Sequence, residues 1–321
     1  MDSFEKINYS IRPNKCIERK MICEVLSRLS FIDDLKNYRY IGFGSTYFTD
    51  FTLFHKQLGI DNLISIESAE NKKERFELNK PFSCIQILYG EATTLLPNLE
   101  LDKKNNIIWL DYDGVLEDYM FGDIDTIVSS AKEGSAFMIS VNVAPLLGTQ
   151  EEKFKTLVQR VGKQRIPIEF YDANLNGNKF IEVVYQMIDM QIKKSLSERN
   201  GSNSKRIEYK QIFNYLYKDG VSMLTIGGII YNIDQKQSVN RMKLHELTHV
   251  RSGNDQYKIQ CPNLTYKEIH LLNSLLPCEL KINKNGDITN KEFKKIPLAS
   301  NDIKDYSEIY RYYPNYAETN L

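Results

Sequence analysis

Small and acidic residues recur directly after short apolar runs in the first half of the sequence. Gly42 and Gly44 follow one run, Glu67 follows the next, and Glu91 comes after a third. Paired glycines let a chain turn tightly against a ligand, and an acid about twenty residues further on can accept the hydroxyls of a ribose. A fourth run ends in residues 111–114, Asp-Tyr-Asp-Gly, which add two acids and an aromatic ring. These residue types predict a site for a nucleotide-like cofactor.

The apolar runs that precede these residues have the length of β-strands. They cover residues 38–41, 63–66, 84–88, 107–110 and 136–141. The intervening segments 50–58, 71–78 and 123–132 carry apolar side chains at the three- and four-residue spacing of helices. This alternation predicts an α/β, Rossmann-like fold with a mainly parallel sheet and helices on both faces. Ligands bind beyond the carboxyl ends of such strands, where the polar residues lie.

The flanks of this core are predicted to extend it. An amphipathic helix over residues 14–31, capped by Asn14, leads into the first strand. Arg12 and Lys15 are expected to be surface charges, with the alternative that this segment folds over the cofactor or over an anionic substrate. The predicted regions are an N-terminal helical segment (1–36), a cofactor-binding core (37–145), a helical region (146–220) and C-terminal strands and helices (221–321).

The second half of the chain has a less regular pattern. Residues 151–161, 180–196 and 209–217 are predicted to be helices, and the polar stretch 195–206 to be an exposed loop. The runs 222–232 and 256–262 are predicted to form an antiparallel strand pair at the sheet edge. Thr265, with Glu268 three residues later, predicts a capping box at the start of a last amphipathic segment.

Composition narrows the classes of function. The 42 basic residues balance 42 acidic ones, so the chain has no global field that would attract a nucleic-acid backbone. The five cysteines lack CxxC spacing, which argues against both a disulfide framework and a four-cysteine zinc site. The first ten residues do not resemble a signal peptide, and no apolar stretch has membrane-spanning length. We therefore expect a cytoplasmic protein without a membrane partner.

The order of these features, from the glycine turn to the acidic and aromatic tip of the fourth strand, resembles the class I S-adenosylmethionine (SAM)-dependent methyltransferases. The resemblance covers roughly residues 40–142. It implies SAM as cofactor and an unidentified methyl acceptor, with no metal assigned to the site. The cofactor-binding residues implied are Gly42, Gly44, Ser45, Glu67, Glu91, Asp111 and Tyr112. Asp111 and Asp113 are the catalytic candidates, because a carboxylate can orient an acceptor or act as general base.

The sequence departs from the family pattern at the glycine motif. Tyr40 stands where an acid is usual, and Thr46 occupies the third glycine position. The amino group of SAM is therefore expected to lie on Asp50 or Asp111. The NPPY or DPPY motif associated with methylation of base amino groups is missing after the fourth strand.

A rival motif lies in the second half. Residues 245–249, His-Glu-Leu-Thr-His, match HExxH, in which two histidines one helical turn apart bind zinc and the glutamate activates water. Glu268 or His270 would supply a third ligand. The basic flanks and the nearby Gly253 favour an exposed loop instead. A zinc peptidase remains the alternative enzyme.

A non-catalytic protein that binds SAM or a nucleotide and acts on a partner is the other alternative. The 20 tyrosines suit either a stacking surface for a substrate or an interface with a protein or a second copy of the chain.

Overall fold

The computed structural model describes residues 11–202 and 205–315. Within these residues the strands are β1 (Arg39–Gly42), β2 (Asn62–Glu67), β3 (Ile85–Tyr89), β4 (Asn106–Val115), β5 (Ser135–Asn142), β6 (Ile207–Asp219), β7 (Val221–Asn232) and β8 (Tyr257–Lys258). The helices are α1 (Pro13–Ser27), α2 (Thr49–Leu58), α3 (Lys73–Asn79), α4 (Ala92–Leu95), α5 (Asp118–Ser130), α6 (Gln150–Val161), α7 (Gly177–Ser202), α8 (Lys236–Arg241), α9 (Tyr266–Leu275) and α10 (Ser300–Ile309). No helix in this part of the chain is long and apolar enough to cross a membrane.

The eight described strands form one sheet in the order β3-β2-β1-β4-β5-β7-β6-β8. Strands β1 to β5 run parallel, whereas β7 is antiparallel to both of its neighbours. The chain order reverses at β1, which pairs with β2 on one side and β4 on the other. A reversal of this kind opens a crevice at the carboxyl ends of the strands. The predicted Rossmann-like α/β fold is confirmed.

Helices cover both faces of the sheet and give it two apolar cores. One core joins α1 and α2 to the face around Trp109. The other joins α5 and α7 to the opposite face around Phe137. Successive side chains of a strand point to opposite faces of the sheet, so neighbouring residues pack into different cores. Ile108 lies in one core and Trp109 in the other.

The antiparallel extension differs from the prediction. Residues 207–219 form β6, so the predicted helix over 209–217 is wrong. The pairing with β7 shifts between Gln211 and Phe213, which breaks the two-residue alternation of apolar side chains and gives the sequence a helix-like spacing. The antiparallel partner of β7 is β6, not the segment 256–262. Only Tyr257 and Lys258 of that segment pair, in parallel, with β6.

The polar stretch predicted as an exposed loop is helical as far as Ser202, because its polar residues have partners. The buried Ser195 hydroxyl donates to Asp125 at 2.5 Å. The guanidinium of Arg199 donates to the carbonyls of Val128, in the last turn of α5, and of Ala131, just after its end. Residues 203 and 204 lie outside the described part of the chain. The Thr265 and Glu268 capping box is confirmed at the start of α9.

A distant acid, rather than Asn14, caps α1. Pro13 is the first helical residue, and the cap position, Arg12, makes no side-chain cap hydrogen bond. The Asp219 carboxylate instead accepts from the backbone N–H groups of Asn14 and Lys15, at 3.2 and 2.8 Å. Because Asp219 ends β6, the hairpin of β6 and β7 fixes the start of α1. The predicted division of the chain into four regions stays a prediction.

Candidate active site

A cavity of about 430 Å³ opens at the carboxyl ends of β1 to β4, where the strand order reverses. Gly42 does not line it. The other predicted site residues all do, namely Gly44, Ser45, Glu67, Glu91, Asp111, Tyr112 and Asp113. The strand ends therefore bring together in space residues that are spread over about 70 positions of the sequence, as expected for a parallel sheet.

The two glycines of the first loop are required by packing. A Cβ atom on Gly42 would lie 2.5 Å from the Tyr40 hydroxyl, and one on Gly44 would lie 2.6 Å from both the Phe48 ring and Ser65 Oγ. The left-handed turns in this loop fall on non-glycine residues, Ser45 at φ 50° and Phe48 at φ 44°. Such backbone conformations are costly for these residues and persist only where the surroundings enforce them.

Glu67 is held at the end of β2 by the same loop. Its side chain is buried, and Ser65 Oγ donates to its Oε1 at 2.6 Å while accepting from the Gly44 N–H at 2.9 Å. Burial raises the pKa of Glu67 to about 7, against the lowering effect of the Ser65 hydroxyl and the N–H groups of Gly44 and Ser45. The carboxylate is thus fixed in place and aimed into the cavity.

Asp111 forms an ion triad with α1. Lys15 Nζ lies 2.6 Å from Asp111 Oδ1 and 2.7 Å from Glu18 Oε2, and the Lys15 side chain is only 1% exposed. Lys15 is therefore not the surface charge predicted from the sequence. Burial alone would raise the pKa of Asp111, but Lys15 and Arg19 lower it below its ordinary value. Asp111 stays ionised, with one oxygen committed to Lys15.

A chain of hydrogen bonds connects this triad to strands of the sheet. Glu18 accepts from Thr225 of β7, whose hydroxyl lies 2.7 Å from that of Ser140 in β5. The indole N–H of Trp109 donates to Ser140 at 2.9 Å, and Lys15 Nζ stands 4.4 Å from the centre of the indole ring. Polar groups from three strands thus connect the triad to the sheet through Glu18 Oε1.

Arg19 and Asp50 are two further ionisable residues at the cavity. Both line it and both are nearly buried, with exposures of 5% and 7%. The Tyr40 hydroxyl donates to the Asp50 carboxylate. Burial raises the pKa of Asp50, and Arg19 opposes that rise. Tyr40, at the position where the family has an acid, thus holds an acid from the next helix.

Aromatic rings form one wall. The ring centre of Tyr112 lies 5.1 Å from that of Phe43 and 5.9 Å from that of Tyr119. The Tyr112 hydroxyl donates to Asp123 at 2.5 Å. Glu91 and Asp113 are exposed on the rim, and Asp113 does not cap α5.

The HExxH segment lacks the geometry of a zinc site. Residues 244–246 form a single 3-10 turn rather than an α-helix, and His245 and Glu246 are exposed. His249 is buried, with Nδ1 at 2.7 Å from the Tyr215 hydroxyl and Nε2 at 3.1 Å from Glu24. Because both ring nitrogens have protein partners and the histidines do not share a helix face, the zinc-peptidase alternative is wrong. The prediction of an exposed loop is correct for His245 and wrong for His249, which is buried.

Sequence reasoning connected Lys15 with the cofactor only as an alternative and missed Glu18 and Arg19. Lys15, Glu18 and Arg19 follow the i, i+3, i+4 spacing of one helix face, and they share that face with the buried Ile22. Charged residues within the apolar stripe of a predicted helix are a detectable sign of a buried ionic cluster.

The profile of a protein family described as "Putative O-methyltransferase" matches residues 7–321. The chain belongs to this family. The resemblance to methyltransferases inferred from the sequence is thereby confirmed at the level of the family.

No curated protein matches the chain. Among solved structures it resembles Trm1 from Pyrococcus horikoshii in complex with S-adenosyl-L-methionine, at 15% identity and a TM-score of 0.44 over 67% of this chain and 54% of that one. M. jannaschii TYW2 in complex with AdoMet matches at 15% identity and a TM-score of 0.37, over 72% of this chain and 80% of that one. Human N-acetylserotonin methyltransferase in complex with SAM matches at 13% identity and a TM-score of 0.31, over 64% of this chain and 51% of that one. The chain spans about half the length of the first and third of these proteins.

Proposed function

We infer that the cavity binds SAM and that the protein transfers its methyl group to an acceptor hydroxyl. The observation that carries this proposal is the convergence of Gly44, Glu67, Glu91 and Asp111 on one cavity at the strand-order reversal. The family description names an oxygen acceptor, and we take this oxygen to be that of a hydroxyl. The cavity volume of about 430 Å³ lies within the range of small-molecule sites, roughly 300–1,000 Å³.

The charges around the cavity match the parts of SAM. Glu67 would accept hydrogen bonds from the two ribose hydroxyls, and Glu91 would lie on the side of the adenine. The methionine part of SAM is a zwitterion, and the Arg19 guanidinium is placed for its carboxylate. Asp50 and the free oxygen of Asp111 are placed for its ammonium. The acids around the cavity also favour the positive sulfonium.

SAM, when bound, supplies an already activated methyl group, so the protein mainly needs to position the acceptor. Asp111 is a weak candidate for general base, because a carboxylate with a lowered pKa and a lysine partner accepts a proton poorly. We assign Asp111 to binding and orientation. The exposed Asp113 and the rings of Tyr112 and Tyr119 border the open side, where the acceptor enters.

Calorimetric titration with SAM and S-adenosylhomocysteine tests the proposal. We expect wild-type protein to bind and Glu67→Gln to bind at least about tenfold more weakly, since hydrogen bonds to a charged group contribute about 1.5–3 kcal/mol. Glu70→Gln, an exposed glutamate just after β2, is the matched control and should bind normally. Folded wild-type protein that binds neither compound would overturn the proposal. Binding without turnover on any acceptor would support the non-catalytic alternative.

A further inference from the structure

Three side chains that can bind a metal meet at the amino-terminal ends of the strands, opposite the carboxyl ends at which the cavity opens. His55 lies in the last turn of α2, Asp61 precedes β2, and Cys84 precedes β3. Asp61 and Glu67 stand at the two ends of β2, about 20 Å apart at the usual rise of a strand. The cluster is therefore separate from the proposed cofactor site.

The backbone brings these residues together. Gly59 ends α2 in a left-handed conformation, with φ 67°, which turns the chain back toward His55. The next two residues then approach the imidazole, with the Ile60 carbonyl at 3.0 Å and Asp61 Oδ1 at 3.1 Å from Nδ1. Cys84 Sγ lies 3.8 Å from the same nitrogen.

One nitrogen thus faces two oxygens and a sulfur. Nδ1 of a histidine carries at most one hydrogen, so only one of these groups can accept a hydrogen bond from it. A cation placed among the three side chains would satisfy their lone pairs together. Their ligand atoms all lie within 4.8 Å of one another.

The two distances from His55 Nδ1 are close to those of a tetrahedral zinc site. With Zn–N and Zn–O bonds of about 2.0 Å and Zn–S of about 2.3 Å, tetrahedral ligands stand about 3.3 Å (N to O) and 3.5 Å (N to S) apart. The distances from Nδ1, 3.1 Å to Asp61 and 3.8 Å to Cys84, lie close to these values. Nitrogen and sulfur ligands do not suit magnesium or calcium, which prefer oxygen.

We propose that His55, Asp61 and Cys84 bind one divalent cation of the Zn²⁺ class, with water as the fourth ligand. Binding releases the Cys84 thiol proton to solvent and leaves a thiolate on the metal. The ring of Phe82, centred 4.4 Å from that of His55, covers the site on one side. The metal would tie the end of α2 to the starts of β2 and β3.

The test is titration of the full-length, chelator-treated protein with Co²⁺, a spectroscopic substitute for Zn²⁺. We expect one equivalent to bind with a thiolate-to-cobalt charge-transfer band in the near ultraviolet, and Zn²⁺ to abolish the band by displacement. Cys84→Ser should remove the band, and His55→Ala should weaken binding at least about tenfold. Cys278→Ser, which removes an exposed thiol, is the matched control and should keep the band.

Two outcomes would overturn the site, namely no band in folded wild-type protein or a band that survives Cys84→Ser. Circular dichroism establishes that each variant is folded. If Cys84→Ser does not fold, Asp61→Asn replaces it, because the Asp61 side chain is 72% exposed and the change is tolerable. Unchanged Co²⁺ affinity in Asp61→Asn would then contradict the proposal.

Discussion

The parallel and antiparallel halves of the sheet contribute to the cavity in different ways. In the parallel half, β1, β2 and β4 end at the cavity and deliver Gly44, Glu67 and Asp111 directly. No described residue of β6 or β7 lines the cavity. The hairpin instead supplies Asp219 and Thr225, which hold α1.

The parallel strands position cavity residues directly, whereas the antiparallel hairpin positions them indirectly. A parallel strand presents the residues at its carboxyl end, so chain position alone places their side chains. The antiparallel hairpin acts through α1, which then brings Arg19 to the cavity and Lys15 to Asp111. Its effect depends on contacts between residues about 200 positions apart. Removing these contacts one at a time tests whether the cavity needs both halves.

The largest expected effect is that of Lys15→Ala. It leaves two carboxylates, Asp111 and Glu18, without their shared cation, and breaking a buried ion pair typically costs about 3–5 kcal/mol. We expect a loss of about that size in the free energy of unfolding, measured by urea denaturation. Lys194→Ala is the control, because its Nζ lies 3.9 Å from Glu198 on the exposed side of α7 and its loss should change stability by less than about 0.5 kcal/mol. A loss below about 1 kcal/mol for Lys15→Ala would mean that the triad contributes little to the stability of the fold.

Gly44→Ala should have the next largest effect, this time through the parallel half. The new Cβ would meet the Phe48 ring and Ser65 Oγ at 2.6 Å, and such overpacking costs about 1–3 kcal/mol. Displacing Ser65 also moves Glu67, so SAM affinity should fall as well. Gly114→Ala is the matched control, because nothing lies within 4 Å of its Cβ position. Equal SAM affinity in the two variants would contradict the role given to the loop.

A third prediction concerns pH. Burial raises the pKa of Glu67 to about 7 in the free protein, and only the ionised form accepts hydrogen bonds from both ribose hydroxyls. SAM affinity should therefore be constant well above pH 7 and fall by up to about tenfold per pH unit below it. Calorimetry between pH 5.5 and 8.5 (about the range in which this carboxyl titrates) measures the slope. Glu67→Gln should flatten it, and a slope that persists in that variant would assign the proton to another group.

The parallel core and the residues after its strands could be predicted from the sequence because both depend on local signals. Short apolar runs mark buried parallel strands, and the sheet then gathers the residues at their carboxyl ends. Glu67 and Asp111 can be predicted as site residues in this way. The packing role of the glycines could not be predicted, because the clash of a Cβ on Gly44 with Ser65 depends on a residue of another strand.

The contribution of the second half could not be predicted in the same way. The irregular pairing near Gln211 hides the alternation of β6, and the spacing then resembles a helix. The role of Lys15 depends on Asp111, which lies 96 positions away. The apolar stripe of α1 is a sign that Lys15 is buried, but only the fold shows that Asp111 is its partner.

The smallest expected effect bears most directly on the comparison of the two halves. Asp219→Ala removes the cap that β6 provides to α1, and losing a cap costs about 1 kcal/mol of stability. The first turn of α1 should then fray and loosen Lys15, so SAM affinity should fall several-fold although Asp219 does not line the cavity. Thr149→Ala, which removes the cap of α6, should cost about the same stability and leave SAM affinity unchanged. If both variants bind SAM equally well, the hairpin stabilises α1 without controlling the cavity, and the site belongs to the parallel half alone.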